Sequence, residues 1–278
     1  MSNCEETGQV TLPGARSDLP VVLTVAGSDS SAGAGIGVDL RVFQALDTYG
    51  TFVITAVTAQ NTIGVHSVHS VPGEAISAQL EAIFADLPVA AIKTGMLGTR
   101  DNVAAVADFL DTLSEIPPLI VDPVWISESG TTLLPDDAWD VLIERVLPRT
   151  ELVTPNRQEA ARLLGQSDIT AEEIGSAAER ILRLGARNVL IKGGHFEGDH
   201  AVDFVASRTE NYSLISPRRS IGRVHGTGCA LSAAIVAERA KGQPLDAAIK
   251  SARNHLLTWL DSASQLGQGA RILHPKPL

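Results

Sequence analysis

From residue 19 onward, short apolar runs alternate with longer stretches in which apolar residues recur at helical spacing. The runs predicted as buried strands are residues 21–26, 52–57, 89–93, 119–121, 152–153 and 189–191. The stretches predicted as helices are residues 35–46, 74–84, 101–113, 136–146, 157–164, 171–184, 230–241 and 245–260. This alternation predicts an α/β fold with a doubly wound, mostly parallel central sheet and helices on both faces. Residues 201–205 and 212–215 are expected to form a two-stranded excursion.

A cluster of small or polar residues follows nearly every predicted strand. In doubly wound sheets, ligands bind outside the carboxyl ends of the strands. One such cluster is ordinary turn chemistry, but six together predict the rim of a binding site. The clusters are Gly27-Ser28-Asp29, Ala59-Gln60-Asn61, Thr94-Gly95-Met96, Asp122-Pro123, Thr154-Pro155-Asn156 and Lys192-Gly193-Gly194.

Composition and charge narrow the class of protein. Hydrophobic residues make up 44% of the 278 residues and aromatic residues only 4%, as expected of an aliphatic parallel-sheet core in one domain over residues 19–278. The formal net charge is −10 without a long basic run, which argues against nucleic acid and anionic membranes as partners. Residues 1–18 are polar and are expected to be a disordered extension. The two cysteines and the lack of an apolar run of membrane-spanning length favour a reducing cytoplasm.

The segment Gly226-Thr227-Gly228-Cys229 runs directly into an alanine-rich predicted helix. Glycines let backbone N–H groups turn toward one point, and a helix N-terminus adds partial positive charge there. The pattern therefore predicts an anion hole suited to a transferring phosphoryl group, although a plain loop-to-helix junction would read the same. Cys229 is then either a base whose thiol pKa is lowered by the helix N-terminus or a small buried apolar residue.

Charged residues at three other strand ends are candidates for phosphate and metal chemistry. Asp122 ends an apolar strand, and magnesium prefers few carboxylates plus phosphate oxygens. Asn156 and Glu159 have the spacing of a helix capping box, so capping and ligand binding are both open. Lys192 follows another apolar strand, where a charge is costly unless it is paired or reaches a phosphate. The role of Lys93 stays open.

The glycine-rich loop of residues 27–37 joins the first strand to the first helix. It lacks the Gly-Lys-Ser/Thr ending of a P-loop, and Val38 stands where a dinucleotide fingerprint has its last glycine. The loop permits close approach of a ligand to the backbone, or it is simply a flexible surface loop. A nicotinamide-dependent oxidoreductase is disfavoured.

Taken together, these stretches resemble the ribokinase superfamily, and within it the hydroxymethylpyrimidine and phosphomethylpyrimidine kinases of thiamine synthesis. The resemblance covers about residues 20–269, and the joint order of its motifs is specific. The motifs are Ala26-Gly27-Ser28-Asp29-Ser30, Ala34-Gly35-Ile36 with Asp39-Leu40, Ala59-Gln60-Asn61-Thr62, Lys93 with Gly95-Met96-Leu97, Val121-Asp122-Pro123-Val124, Thr154-Pro155-Asn156 with Glu159-Ala160, Lys192-Gly193-Gly194-His195 and His225-Gly226-Thr227-Gly228-Cys229.

This resemblance implies that ATP, with Mg²⁺, phosphorylates the hydroxymethyl group of 4-amino-5-hydroxymethyl-2-methylpyrimidine, and in many members the resulting monophosphate. It implies that Cys229 deprotonates the attacking hydroxyl beside an anion hole. It also implies a homodimer. The positions that it assigns are Gly27, Asp39, Gln60, Met96 and Val124 to the pyrimidine pocket, Gly226, Thr227 and Gly228 to the anion hole, Asp122 and Glu159 to magnesium, and Asn156 and Lys192 to ATP.

Several positions depart from the family pattern. Ala32 replaces a usual glycine and Gly37 a usual glutamine, while Trp125 and Glu128 follow Asp122 where methionine and a lysine or small residue are common. These changes put the preferred substrate in question. A pyridoxal kinase of the same branch is the nearest alternative, since pyridoxal also offers a hydroxymethyl on an aromatic ring. A non-catalytic ligand-binding protein with the kinase fold is the alternative from another class.

Overall fold

The computed structural model describes residues 19–127, 130–196 and 198–277. The disordered extension expected over residues 1–18, and Glu128, which departs from the family pattern, lie outside the described residues. Nine strands form one sheet in the order β3-β2-β1-β4-β5-β6-β7-β8-β9. Six adjacent strands, β2, β1, β4, β5, β6 and β7, all run parallel to one another, as predicted. The strands are β1 Val21–Ser28, β2 Tyr49–Gln60, β3 Val65–Ser70, β4 Val89–Thr94, β5 Leu119–Val121, β6 Leu152–Val153, β7 Asn188–Ile191, β8 His200–Ser207 and β9 Asn211–Pro217.

The hairpin of β8 and β9 corrects the expectation of a separate two-stranded excursion. Strand β8 pairs with β7 in antiparallel register, and β9 continues the same sheet. Consecutive residues of β8 pack into opposite faces of the fold, because Val205 joins one apolar core and Ala206 the other. Pairing with β7 therefore makes the hairpin the edge of the central sheet.

Eight α-helices lie among the described residues, and two further short strands, β10 Val224–His225 and β11 Arg271–Ile272, pair in parallel. The helix predicted over residues 136–146 is α-helical only in its first half, then continues as a π turn, Leu142–Val146, and a 3₁₀ turn, Leu147–Arg149, whose Pro148 lacks an N–H. The helices are α1 Gly35–Ala45, α2 Gly73–Phe84, α3 Arg100–Thr112, α4 Asp136–Val141, α5 Arg157–Leu163, α6 Ile174–Arg183, α7 Thr227–Ala240 and α8 Leu245–Asp261.

The sheet separates two apolar cores, one on each face. Helices α1, α7 and α8 cover one face, and α2 to α6 cover the other. Strand β1 serves both, since Val22 points into the first core and Leu23 and Val25 into the second, as the two-residue period of a strand requires. Each such fully buried side chain stabilises the fold by about 1.5–3 kcal/mol.

The strand order reverses at β1, which has β2 on one side and β4 on the other. Crevices that bind ligands form at such switch points, beyond the carboxyl ends of the strands. Gly27 of β1 and Met96 after β4 meet there, because a Cβ added to Gly27 would lie 2.9 Å from Met96 Sδ. Within the described part of the chain, no helix has both the length and the apolar character needed to cross a membrane.

Candidate active site

Three charged side chains from three strand ends meet at one edge of the sheet. The Lys192 ammonium, beyond β7, lies 2.7 Å from Asp122 Oδ1, beyond β5, and 3.7 Å from Glu159 Oε2. Asp122 and Glu159 are only 2% and 5% exposed, so the group is shielded from water. Asp122 also accepts hydrogen bonds from Thr154 and Ser232. The sequence prediction that these strand ends converge is thereby confirmed in space.

This cluster holds two carboxylates but one ammonium. Burial opposes ionisation of Glu159, and although Lys192 favours it, Asp122 adds repulsion, so the pKa of Glu159 rises to about 7. Burial works against the charge of Lys192 too, but its two carboxylates outweigh burial and raise its pKa. The site is therefore short of one positive charge. A divalent cation fits that deficit, and magnesium needs few protein carboxylates because phosphate oxygens and water complete its shell.

The described residues contain no cluster of three or more His, Cys, Asp or Glu side chains arranged to hold a metal ion by themselves. A magnesium ion at this site would accordingly depend on Asp122, Glu159 and the phosphates of a bound nucleotide. That arrangement is typical of nucleotide-dependent sites rather than of a dedicated protein cage.

Asn156 and Glu159 form the capping box expected at the start of α5. The Asn156 carboxamide accepts from the Glu159 N–H at 3.0 Å, and the Glu159 carboxylate accepts from the Asn156 N–H at 2.7 Å. The Trp125 N–H is a further donor to Glu159. Capping thus fixes the carboxylate beside Lys192, and the ligand role that the sequence left open stays a prediction.

The N-terminus of α7 faces this cluster. Gly226 has φ +76°, and a Cβ there would lie 2.0 Å from the Gly33 carbonyl oxygen, so only glycine fits. A Cβ on Gly228 would lie 3.0 Å from Lys192 Nζ and 3.6 Å from Asp122 Oδ2. The first N–H groups of a helix have no intrahelical acceptor, and Gly228 in this first turn lies beside the Lys192 ammonium. An anion bound at this point meets a helix dipole, backbone donors and an ammonium.

The sequence left Cys229, in the first turn of α7, as either a base with a lowered thiol pKa or a small buried residue, and the lowered pKa is not found. Burial raises the pKa of Cys229 to about 11, and the carboxylates of Asp39 and Asp122 add to the rise, although Lys93 and the Gly35 N–H oppose it. The helix N-terminus is therefore outweighed by exclusion of water. The thiol faces the anion hole mainly in its neutral form.

The role left open for Lys93 is resolved by a buried ion pair. Lys93 Nζ lies 2.5 Å from Asp39 Oδ1, and Thr24 donates to Asp39 Oδ2 at 2.7 Å. Burial alone would favour neutral Lys93, but Asp39 outweighs it and raises the pKa of the lysine. Asp39 is fully buried, and both its oxygens are engaged. Its assignment to the pyrimidine pocket stays a prediction.

The other predicted pocket residues occupy the opposite end of the crevice. Gln60 lies beside His225, whose Nε2 is 2.9 Å from Asp29 Oδ2. Gln60 and His225 line a small cleft, and this cleft shares Thr62, Ile63 and Arg223 with a larger cavity of about 510 Å³. Val124 is half-buried, and its N–H donates to the Asp122 carbonyl oxygen at 2.8 Å.

Trp125, a departure from the family pattern, packs against the larger apolar core, and the Arg162 guanidinium lies 5.3 Å from its ring centre. Its indole therefore contacts α5.

The structure thus brings the predicted residues into two groups. Asp122, Glu159, Lys192 and the start of α7 form a phosphate end, whereas Gly27, Met96 and Gln60 lie along the first loop. Sequence reasoning gave no role to Asp29 or His225, although both stand inside quoted motifs. The signal available was their position directly after a strand and directly before the anion hole.

Comparison with known proteins agrees with this geometry. A family model described as phosphomethylpyrimidine kinase matches residues 29–274. The hydroxymethylpyrimidine/phosphomethylpyrimidine kinase of Rhizobium meliloti is 45% identical over 257 residues, which cover 91% of this chain and 96% of that protein.

Two solved structures show the same fold. Bacillus subtilis pyridoxal kinase, crystallised as an ADP complex, matches with a TM-score of 0.85 at 32% identity, over 92% of this chain and 97% of that one. Phosphomethylpyrimidine kinase from Clostridium difficile matches with a TM-score of 0.76 at 37% identity, over 86% and 98% of the two chains. The fold is therefore ribokinase-like, and the chain belongs to the phosphomethylpyrimidine kinase family of phosphotransferases.

Proposed function

We propose that this enzyme uses ATP to phosphorylate 4-amino-5-hydroxymethyl-2-methylpyrimidine, and then the monophosphate to the diphosphate, in thiamine biosynthesis. The observation that carries the proposal is the buried cluster of Lys192, Asp122 and Glu159 directly beside the first turn of α7. This cluster provides donors, a cation and carboxylates at a single point. Phosphoryl transfer depends mainly on such positioning and charge stabilisation.

Each group has a distinct task in the proposed reaction. Lys192 and the N–H groups of residues 226–228 bind the phosphoryl oxygens, and Asn156 lies at the nucleotide side. Magnesium, held by Asp122 and Glu159, would neutralise charge on the phosphates. Cys229 accepts the proton of the attacking hydroxyl. Because its thiol pKa is about 11, it would act as the ionised base only in a small fraction of molecules or when the bound groups lower that pKa.

Pyridoxal kinase activity is the second candidate, and it is favoured by the higher TM-score of the pyridoxal kinase structure. Sequence identity favours the pyrimidine enzymes, at 37% against 32% for the two structures. Both substrates present a hydroxymethyl group on a six-membered aromatic ring. Discrimination therefore rests on ring substituents that the Gln60 end of the crevice would contact.

A coupled ATPase assay with the pyrimidine alcohol, its monophosphate and pyridoxal, each offered separately, tests the proposal. We expect both pyrimidines to be turned over, and the alcohol at least about tenfold more efficiently than pyridoxal, which corresponds to about 1.4 kcal/mol. The reverse preference would establish the pyridoxal kinase. Saturable pyrimidine binding without ATP consumption would instead indicate a non-catalytic binding protein.

A homodimer in the cytoplasm completes the proposal. Strand β2 exposes three large apolar side chains, Tyr49, Phe52 and Val57, which are 54%, 43% and 50% exposed. The amino-terminal half of β2 pairs with β1 on one side. On the other side of β2, strand β3 pairs only with residues 56–60. A second copy of the chain that covers the edge at β2 would bury exposed apolar side chains such as Phe52 and Val57.

A further inference from the structure

The side chain of Gln60 lies between two groups that both contact its carboxamide. Its Nε2 is 3.0 Å from Nε2 of His225, and its Oε1 is 3.2 Å from Oγ1 of Thr58. The backbone of Gln60 is held at both ends by Ser30, whose hydroxyl contacts the Gln60 N–H at 2.9 Å and its carbonyl oxygen at 2.8 Å. With the backbone fixed, the remaining choice is which end of the carboxamide faces which neighbour.

The His225 contact requires a hydrogen-bond acceptor from Gln60. Nε2 of His225 lies 2.9 Å from Asp29 Oδ2, and a carboxylate can only accept, so this nitrogen carries a proton and donates it. Asp29 also accepts from Ser31, Gly33 and Ala34, which is consistent with an ionised carboxylate. A protonated ring nitrogen cannot accept from an amide N–H. That single proton can reach Gln60 only as a three-centre hydrogen bond shared with Asp29, and in such a bond only the carboxamide oxygen, not its nitrogen, can accept.

The Thr58 contact leads independently to the same orientation. The Thr58 hydroxyl has one proton, and at 2.7 Å the Ser28 carbonyl oxygen accepts it. Toward Gln60 the hydroxyl therefore offers a lone pair, which calls for an N–H donor. A half-turn of the carboxamide about its last bond exchanges oxygen and nitrogen, which gives Thr58 an N–H donor and places the oxygen where it shares the His225 proton with Asp29.

We propose that Asp29, His225 and Thr58 form an orientation lock that fixes the Gln60 carboxamide and makes it read the substrate ring in one direction. The inference rests on the proposed function. A carboxamide has two N–H donors and two lone pairs. The lock engages one of each and leaves one donor and one acceptor, in fixed order, at the cleft that Gln60 and His225 line.

A fixed order of the free donor and acceptor of Gln60 distinguishes substrate rings by their hydrogen-bonding pattern rather than by their size. The 4-aminopyrimidine edge offers an acceptor at ring nitrogen 3 and a donor at the amino group. The 4-oxo analogue of the same ring offers a donor at nitrogen 3 and an acceptor at the oxygen. A locked carboxamide matches only one of these orders, whereas a carboxamide that turns freely matches both. Asp29, His225 and Thr58 are therefore positioning residues for ring specificity.

The test compares kcat/KM for the 4-amino alcohol and for its 4-oxo analogue in wild-type protein and in three variants. Thr58→Val removes the hydroxyl at nearly constant shape, and His225→Phe removes the ring N–H. In His225→Phe, the Asp29 carboxylate keeps its donors from Ser31, Gly33 and Ala34. Thr58→Ser retains the hydroxyl and is the matched control. The ratio of the two kcat/KM values is the readout, because a loss of stability alone lowers both values together.

The ratio is kcat/KM for the 4-amino alcohol divided by kcat/KM for its 4-oxo analogue. We expect this ratio to be about tenfold lower in Thr58→Val and in His225→Phe than in wild type, as one hydrogen-bond mismatch would give, and to be unchanged in Thr58→Ser. If His225→Phe does not fold, Thr58→Val alone decides the question. An unchanged ratio in the folded unlocking variants overturns the lock and leaves the proposed function standing. Wild-type protein that phosphorylates neither ring overturns the proposed function, and the lock with it.

Discussion

At the scale of single residues, two departures from the family pattern prove to be neighbours. Ala32 has φ +54°, in the left-handed region where an L-residue is strained, and this is the position where the family has glycine. A Cβ on Gly37 would lie 2.8 Å from the Ala32 Cβ, so a larger side chain at 37 would crowd Ala32. The backbone Cα of Ala32 would lie closer still, at 2.7 Å, so the close approach of the two segments requires glycine at residue 37.

Replacing Ala32 with glycine should stabilise the protein by about 0.5–1 kcal/mol. The left-handed conformation costs an L-residue about 1–2 kcal/mol, and part of the relief is offset by the greater entropy of glycine in the unfolded chain. Urea unfolding of Ala32→Gly measures the gain. Gly165→Ala is the matched control in the opposite direction, since Gly165 has φ +66° with no atom within 4 Å of an added Cβ. Lower stability of Ala32→Gly would contradict the strain.

At the scale of elements, helix α7 sets two effects against each other at Cys229. Its N-terminus favours a thiolate, but burial raises the pKa of the thiol to about 11. At pH 7 only about one thiol in 10⁴ is then ionised. Desolvation at this position therefore weakens the base that the helix N-terminus would favour.

Two substitutions at Cys229 test whether the thiol is that base. If it is, log kcat rises with pH between about 7 and 9, because the thiolate fraction grows tenfold for each pH unit. Cys229→Asp, which has an acidic base, should flatten this profile. Cys229→Ala should lower kcat at least about 100-fold while substrate binding is kept. Near-normal turnover in Cys229→Ala would assign the thiol to packing.

The same elements show how much the sequence could predict. Strands β5 and β6 have the predicted bounds, because Asp122-Pro123 and Thr154-Pro155 end them locally. The convergence of strand ends followed from the parallel topology. Contacts between distant segments did not, and Lys93 with Asp39 or His225 with Asp29 pair residues 54 and 196 positions apart. Similarly, the sequence predicted β8 and β9 as a pair, but the pairing of β8 with β7, which joins them to the sheet, is a contact that the sequence pattern did not reveal.

At the scale of the whole molecule, the charge cluster at the phosphate end links stability to pH. The pKa of Glu159 is about 7 in the folded protein against 4.5 for an ordinary glutamate. Between these values the folded protein binds more protons than the unfolded chain, so the free energy of unfolding falls as pH rises. His255 acts in the opposite sense, since burial lowers its pKa and stability rises with pH where it titrates.

Glu159→Gln separates these contributions, because glutamine keeps an oxygen to cap α5 but cannot ionise. The quantity to follow is the free energy of unfolding of the variant minus that of wild type, without nucleotide and with a magnesium chelator. We expect this difference to be about 1–3 kcal/mol larger at pH 8 than at pH 5. Urea unfolding across this range gives the two curves, and their difference cancels His255. Glu81→Gln, which removes an exposed carboxylate, is the control. A difference in unfolding free energy that stays constant from pH 5 to pH 8 would mean that Lys192 keeps Glu159 ionised throughout. The site would then hold no proton on Glu159 that a divalent cation could displace.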